Sequence, residues 1–179
     1  MSKEIIATYA TREKHVVKVE SRRYKKQLAE LTDYARKFLK GSYNMDLRIP
    51  IELDGRLGST MGVFHHVQHQ VNGVVTSDTP RDIQLNSRFI QLALLDGERG
   101  WNNIIAVLKH ELIHYALYSQ GKPYNDGDAT FEMELKMHGS SSTHTFAYRL
   151  TYRDTHGDEY KYNNWDPDFK ELLVSYAHI

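Results

Sequence analysis

The chain of 179 residues has no cysteine. Disulfides, thiolate metal sites and cysteine nucleophiles are therefore excluded, and any bound metal has to be held by nitrogen and oxygen. No charge sign dominates. Lysine plus arginine and aspartate plus glutamate number 23 each, so the net charge is zero. A strong non-specific grip on nucleic acid or on an anionic membrane needs a positive field that such a chain lacks. Long apolar runs are missing too. The stretch Phe89–Leu95 is far too short to span a bilayer, and the charged segment Met1–Lys14 has no apolar core of a secretion signal. The expectation is a cytoplasmic protein with no membrane partner. Only four prolines and eleven glycines interrupt the chain, while 40% of it is hydrophobic. That is enough to build one ordinary core, with three segments: a helical 1–46, a central 47–139, and a C-terminal 140–179, all in one compact domain.

Residues 22–40 read as an amphipathic helix through Tyr24, Leu28, Leu31, Ala35 and Phe38, with Gly41 as its stop. Residues 47–90 read as β structure. Leu47, Ile49, Ile51 and Leu53 alternate with other residues. A run from Met61 to Val71 meets Val74 and Val75 across Asn72-Gly73, a strong hairpin signal. Residues 82–86 suggest another short strand. Residues 102–120 form the clearest helix, with Asn102 or Asn103 as cap, a stripe of Ile104, Ile105, Leu108, Leu112, Tyr115 and Ala116, and Gly121 after its end. A shorter helix over 131–138, a hairpin within 144–163 and a last helix opened by Asp166-Pro167 complete the reading.

The chemistry lies in His110-Glu111-Leu112-Ile113-His114. On a helix, positions four apart share a face one turn apart. Two imidazoles so placed can share one tetrahedral zinc ion. Glu111 then stands beside the bound solvent rather than on the metal, and can act as general base for metal-activated water. The bland alternative, a core helix with incidental histidines, would bury three polar groups without partners, which is costly. A catalytic zinc takes a third protein ligand. Asp128 and Asp126 are the nearest carboxylates on the return path, with Glu134 and Glu132 as rivals. Asp126-Gly127 can equally be a turn, and Asp128 a helix cap. His65 and His69 share a strand face but stand about 13 Å apart, so they cannot chelate one ion together; a polar strand face is expected. If that strand is an edge, it could pair with an extended substrate. Tyr115 and Tyr124 are candidates for a hydrogen bond to the reacting oxygen.

From Leu47 to Gly139 these segments resemble the SprT-like family of zinc metallopeptidases, which includes the Spartan-type proteases. The resemblance is carried by Arg56–Phe64, by Ile83-Gln84-Leu85-Asn86, by Val107–Tyr115 and by the segment ending in Phe131. It implies an α+β, zincin-like minimal domain with a small antiparallel or mixed sheet packed on the motif helix. It further implies Zn2+ held by His110 and His114, Glu111 as catalytic base, and a protein or peptide substrate. It also implies a third histidine before Phe131, where this chain has Asp126 or Asp128. The cysteine-bearing ribbon of many relatives cannot exist here. Two other readings follow: a catalytically weak or inactive zinc-binding module, and a DNA- or protein-associated factor. For the latter, Arg22, Arg23, Lys25 and Lys26 offer a basic patch suited to a weak DNA association.

Overall fold

A computed structural model describes residues 22–57, 60–140, 149–153 and 159–163. Among these, the chain runs through α1 (Lys25–Tyr43), β1 (Ile51–Leu53), β2 (Gly62–Val71), β3 (Val74–Leu85), α2 (Ser87–Leu95), α3 (Gly97–Ser119), α4 (Ala129–Met137), β4 (Arg149–Arg153) and β5 (Glu159–Asn163). It is a mixed α+β arrangement of four helices and a three-stranded sheet, ordered β1-β3-β2. β1 runs parallel to β3, with Ile51 opposite Ile83, and β2 runs antiparallel to it, with Phe64 opposite Ile83. β4 and β5 pair antiparallel in a separate ladder. The expected turn of that pair near Gly157 and the expected last helix lie outside the described residues.

The β2–β3 turn follows from its sequence. Val71 faces Val74, and Asn72 and Gly73 both take positive φ, 52° and 78°. Asparagine and glycine tolerate that region best, and the turn's twist matches that of the strands. The two short strands read from the sequence merge into one long β3. It accommodates Pro80 beside a register shift between His65 and His66, where a missing N–H does least harm.

Four boundaries differ from the sequence reading. Helix α1 passes through Gly41 and ends at Asn44, whose φ of 51° supplies the left-handed cap, a role asparagine shares with glycine. Leu47 and Ile49 precede the sheet, and β1 is only three residues long. Residues 87–90, read as β, belong to a helix over 87–95: the Asn86 side chain accepts from the Arg88 N–H at 3.0 Å and caps it. Helix α3 starts at Gly97, five residues before Asn102. Its early start depends on Gly100, which lies against the Ala93 carbonyl of α2.

Helix α3 is the centre of the molecule. One side joins Leu31, Ala35 and Leu39 of α1, Leu53, Ile83 and Leu85 of the sheet, and Phe89 and Ile90 of α2, through Ile104, Leu108 and Leu112. The other side, Ile113 and Leu117, packs on Phe131 and Leu135 of α4. Burying both flanks leaves one narrow stripe between them, that of His110 and His114. Each fully buried large aliphatic or aromatic side chain contributes about 1.5–3 kcal/mol, so the stripe sits on a rigid support.

Candidate metal centre

His110, Glu111 and His114 are 6%, 6% and 9% exposed. The two imidazoles turn towards one another, Nε2 to Nε2 at 3.1 Å. Phe131 sets them: its ring stacks on His114 at 4.0 Å and meets His110 edge-on at 5.2 Å. His114 Nδ1–H donates to the Tyr124 carbonyl, which leaves Nε2 as a free lone pair. Burial lowers the pKa of His114 against the opposing pull of that carbonyl, favouring the neutral ring that a cation requires.

The third vertex is Asp126. Its Oδ1 lies 3.2 Å from His110 Nε2 and 3.4 Å from His114 Nε2. Ligands about 2.0–2.1 Å from a tetrahedral ion stand about 3.3–3.4 Å apart, so the triangle has the right size for one small divalent ion. The group His110, His114 and Asp126 could hold a metal. The structure does not bring Asp128 to this point, although the sequence favoured it. Asp128 Oδ2 instead accepts from the Asn125 N–H at 2.8 Å, and Glu132 Oε1 accepts from the Gly127 N–H at 3.2 Å. Both rivals tie down the turn that carries Asp126. Gly127, at φ 86°, lets the chain make that turn. Glu134 is engaged elsewhere, accepting from the Tyr43 hydroxyl at 2.8 Å. Sequence spacing could not separate these roles, because they depend on which backbone N–H each carboxylate meets.

Glu111 lies beside the triangle under β2. Burial first, and the nearby Asp126 second, push its carboxyl up to about 8, against the hydrogen bond from the Phe64 N–H. Gly62 sits directly over it. A Cβ at Gly62 would meet Val107 Cγ1 at 2.9 Å and Glu111 Cγ at 3.0 Å. Gly62 and Phe64, part of the Arg56–Phe64 stretch, are thus site residues that the sequence reading left without a role. We expect Gly62→Ala to displace the Glu111 carboxylate and to lower any Glu111-dependent turnover about tenfold to hundredfold. Equal turnover by the variant would show that Glu111 does not depend on this contact.

The triangle, Glu111, Gly62, Phe64, His66 and Tyr124 line one open cleft of about 360 Å3. Tyr115 does not reach it: its ring lies against Phe64, and its hydroxyl accepts from the Arg48 N–H at 3.4 Å. His65 and His66 are each held by an aspartate, Asp82 at 2.7 Å and Asp78 at 2.9 Å. A larger cavity of about 670 Å3 lies apart from the triangle, between Asn44, Asp46, Arg48, Pro80 and Tyr118.

A mixed α+β domain whose buried helical turn offers two imidazoles, a carboxylate partner and an adjacent acid defines a candidate mononuclear metal centre. No family model and no solved structure matches the chain. Among curated proteins, a SprT-like protein of Bacillus subtilis (strain 168) is 36% identical over 58 residues, covering 32% of this chain and 35% of the relative. A SprT-like protein of Oceanobacillus iheyensis is 31% identical over 78 residues, covering 44% of this chain and 48% of the relative. The matched stretches span about half or less of the length of these relatives. Both matches support the chain's membership of the SprT-like family. Among the described residues, no helix is long and apolar enough to cross a membrane.

Proposed function

We propose that the chain is a zinc-dependent metallopeptidase that hydrolyses peptide bonds of a protein or peptide substrate, with a zincin-like site. The observation that carries this reading is the 3.1–3.4 Å triangle of His110, His114 and Asp126 beside buried Glu111 in a solvent-reached cleft. A divalent ion held there would supply Lewis acidity, polarising a carbonyl and acidifying water. The remaining work belongs to the chain. The Tyr124 carbonyl keeps the His114 tautomer fixed. Glu111, aimed by the Phe64 N–H, accepts a proton from the attacking water and returns it to the leaving amine. β2 is an edge of the three-stranded sheet, which supports an extended substrate lying along it by main-chain pairing. The test is cleavage of an unfolded protein by zinc-loaded chain, removed by a chelator and restored by added zinc. Cleavage indifferent to the chelator would reject the reading.

The raised Glu111 pKa gives a separate expectation. In the metal-free protein, the folded state holds a proton that the unfolded chain loses near 4.5. Between about 4.5 and about 8 the folded form therefore binds more protons, and stability falls as pH rises through that window. Thermal melts in chelator should show this fall, and Glu111→Gln should flatten it. A slope unchanged by the substitution would place its origin in other groups.

A specific observation favours one alternative. Asp126 is 70% exposed on a turn, a looser third ligand than a buried imidazole, and this suits a zinc-binding module of weak or no activity. Such a module would serve as a DNA- or protein-associated factor. Arg22, Arg23, Lys25 and Lys26, all exposed at or just before the start of α1, are the nucleic-acid contact such a factor would use. Binding absent even at low salt would remove the DNA form of it.

A further inference from the structure

The β2–β3 hairpin brings to the cleft a second set of polar side chains that neither the triangle nor Glu111 uses. His66 Nδ1 lies 2.9 Å from Asp78 Oδ1, and its Nε2 lies 3.1 Å from the Tyr124 hydroxyl. Asp78 is itself held from two further directions: Gln68 Nε2 donates to Oδ2 at 2.9 Å, and the Tyr118 hydroxyl donates to Oδ1. The rings pack closely. His66 and Tyr118 have centroids 5.0 Å apart, and Tyr124 stands edge-on to both at 5.7 and 5.3 Å. His66 and Tyr124 line the cleft together with His110, Glu111 and His114.

A carboxylate behind an imidazole fixes Nδ1 as the N–H side. The far nitrogen, Nε2, then faces the cleft with a hydroxyl at hydrogen-bond distance. Carboxylate, imidazole and hydroxyl form a chain whose members polarise one another. Tyr124 ties this chain to the metal centre, because its carbonyl accepts from His114 while its hydroxyl meets His66. One residue thus orients a candidate ligand with its backbone and extends a polar relay with its side chain. A histidine present only for packing would need no aspartate fixed by two further donors.

We propose that His66 and Tyr124 form the donor that stabilises the substrate oxygen on which charge builds, with Asp78 as their positioning residue. The proposal rests on the metallopeptidase reading. As the water oxygen bonds to the carbonyl carbon, the carbonyl π pair moves onto oxygen and one water proton passes to Glu111. The Tyr124 O–H donates a hydrogen bond to that oxygen, and His66 Nε2, 3.1 Å from the tyrosine oxygen, holds the hydroxyl in place. No proton leaves the relay. When the carbonyl re-forms, the C–N bond breaks and the amine takes the proton from Glu111. Donors aimed at a developing oxyanion are worth about 10²–10³ in kcat.

The experiment uses the zinc-loaded chain and a fluorescently labelled, unfolded casein. Tyr124→Phe is expected to lower kcat about 30-fold or more with KM little changed. Zinc content should not change, because the partner of His114 is a backbone carbonyl that the variant keeps. His66→Ala should give a similar loss, with His66→Gln in its place should the alanine variant not fold. The double variant should be no slower than the slower single variant, since groups that act as a unit are not additive. Asp78→Asn should lower kcat rather than raise KM, and Asp78→Glu should recover part of the loss. If the Tyr124 and His66 variants keep kcat within about twofold while Glu111→Gln is silent, the relay is wrong and the metallopeptidase reading stands. If the unaltered chain is silent, or if Glu111→Gln cleaves like it, both fail.

Discussion

Glu111→Gln is expected to leave zinc bound and to lower kcat/KM about 10²–10⁴-fold, a rise of about 3–5 kcal/mol in the barrier. The substitution keeps side-chain volume and keeps a carbonyl oxygen for the Phe64 N–H, so geometry is preserved. What it removes is the group that can take a proton from water. It also removes a carboxylate from a buried position next to Asp126, where burial already disfavours charge. The metal-free variant should therefore melt no lower than the unaltered chain near neutral pH, which separates lost chemistry from lost fold. Steady-state cleavage with zinc content and a thermal melt on the same sample checks all three. A variant that cleaves as fast as the parent would end the assigned role of Glu111.

Gly100→Ala should be among the most destabilising single methyl additions in the chain. A Cβ there would stand 1.6 Å from the Ala93 carbonyl oxygen and 2.5 Å from its carbon. Both are backbone atoms, so no side-chain rotation relieves the clash, and α2 and α3 must separate. Overpacking of this kind costs about 3 kcal/mol or more, about 6–12 °C in Tm for a chain of this size. Because α3 carries His110, Glu111 and His114, the displacement should also loosen zinc. Gly41→Ala is the matched control. Gly41 lies inside α1 with nothing within 4 Å of an added Cβ, so replacing it should stabilise by about 0.5–1 kcal/mol. Equal melting temperatures for Gly100→Ala and the parent would mean that the α2–α3 crossing is not as close as described.

These two glycines show what the sequence could and could not disclose. Gly41 looked like a helix stop because glycine often is one. The helix continued because Leu39 remains in the core and Asn44 supplies the left-handed cap. Gly100 lies just before the helix read from residue 102, and its contact with Ala93 gives it a helical reason. Residues 87–90 were read with the β structure before them, and the Asn86 cap decides for helix. By contrast, Asn72-Gly73 needs a specific backbone geometry, and the spacing of His110 and His114 sets a face. Both were legible because they are local. The third vertex was not, since choosing Asp126 over Asp128 depends on hydrogen bonds from Asn125 and Gly127 that no spacing encodes.

The most direct measurement is zinc content and affinity of the purified chain, set against His110→Ala, Asp126→Ala and Asp128→Ala. The expected result is about one tightly held zinc per chain, lost in His110→Ala, weakened by tenfold or more in Asp126→Ala, and less affected in Asp128→Ala, which only braces the turn. Wild-type zinc affinity in His110→Ala, or a larger loss at Asp128 than at Asp126, would contradict the metal centre described above.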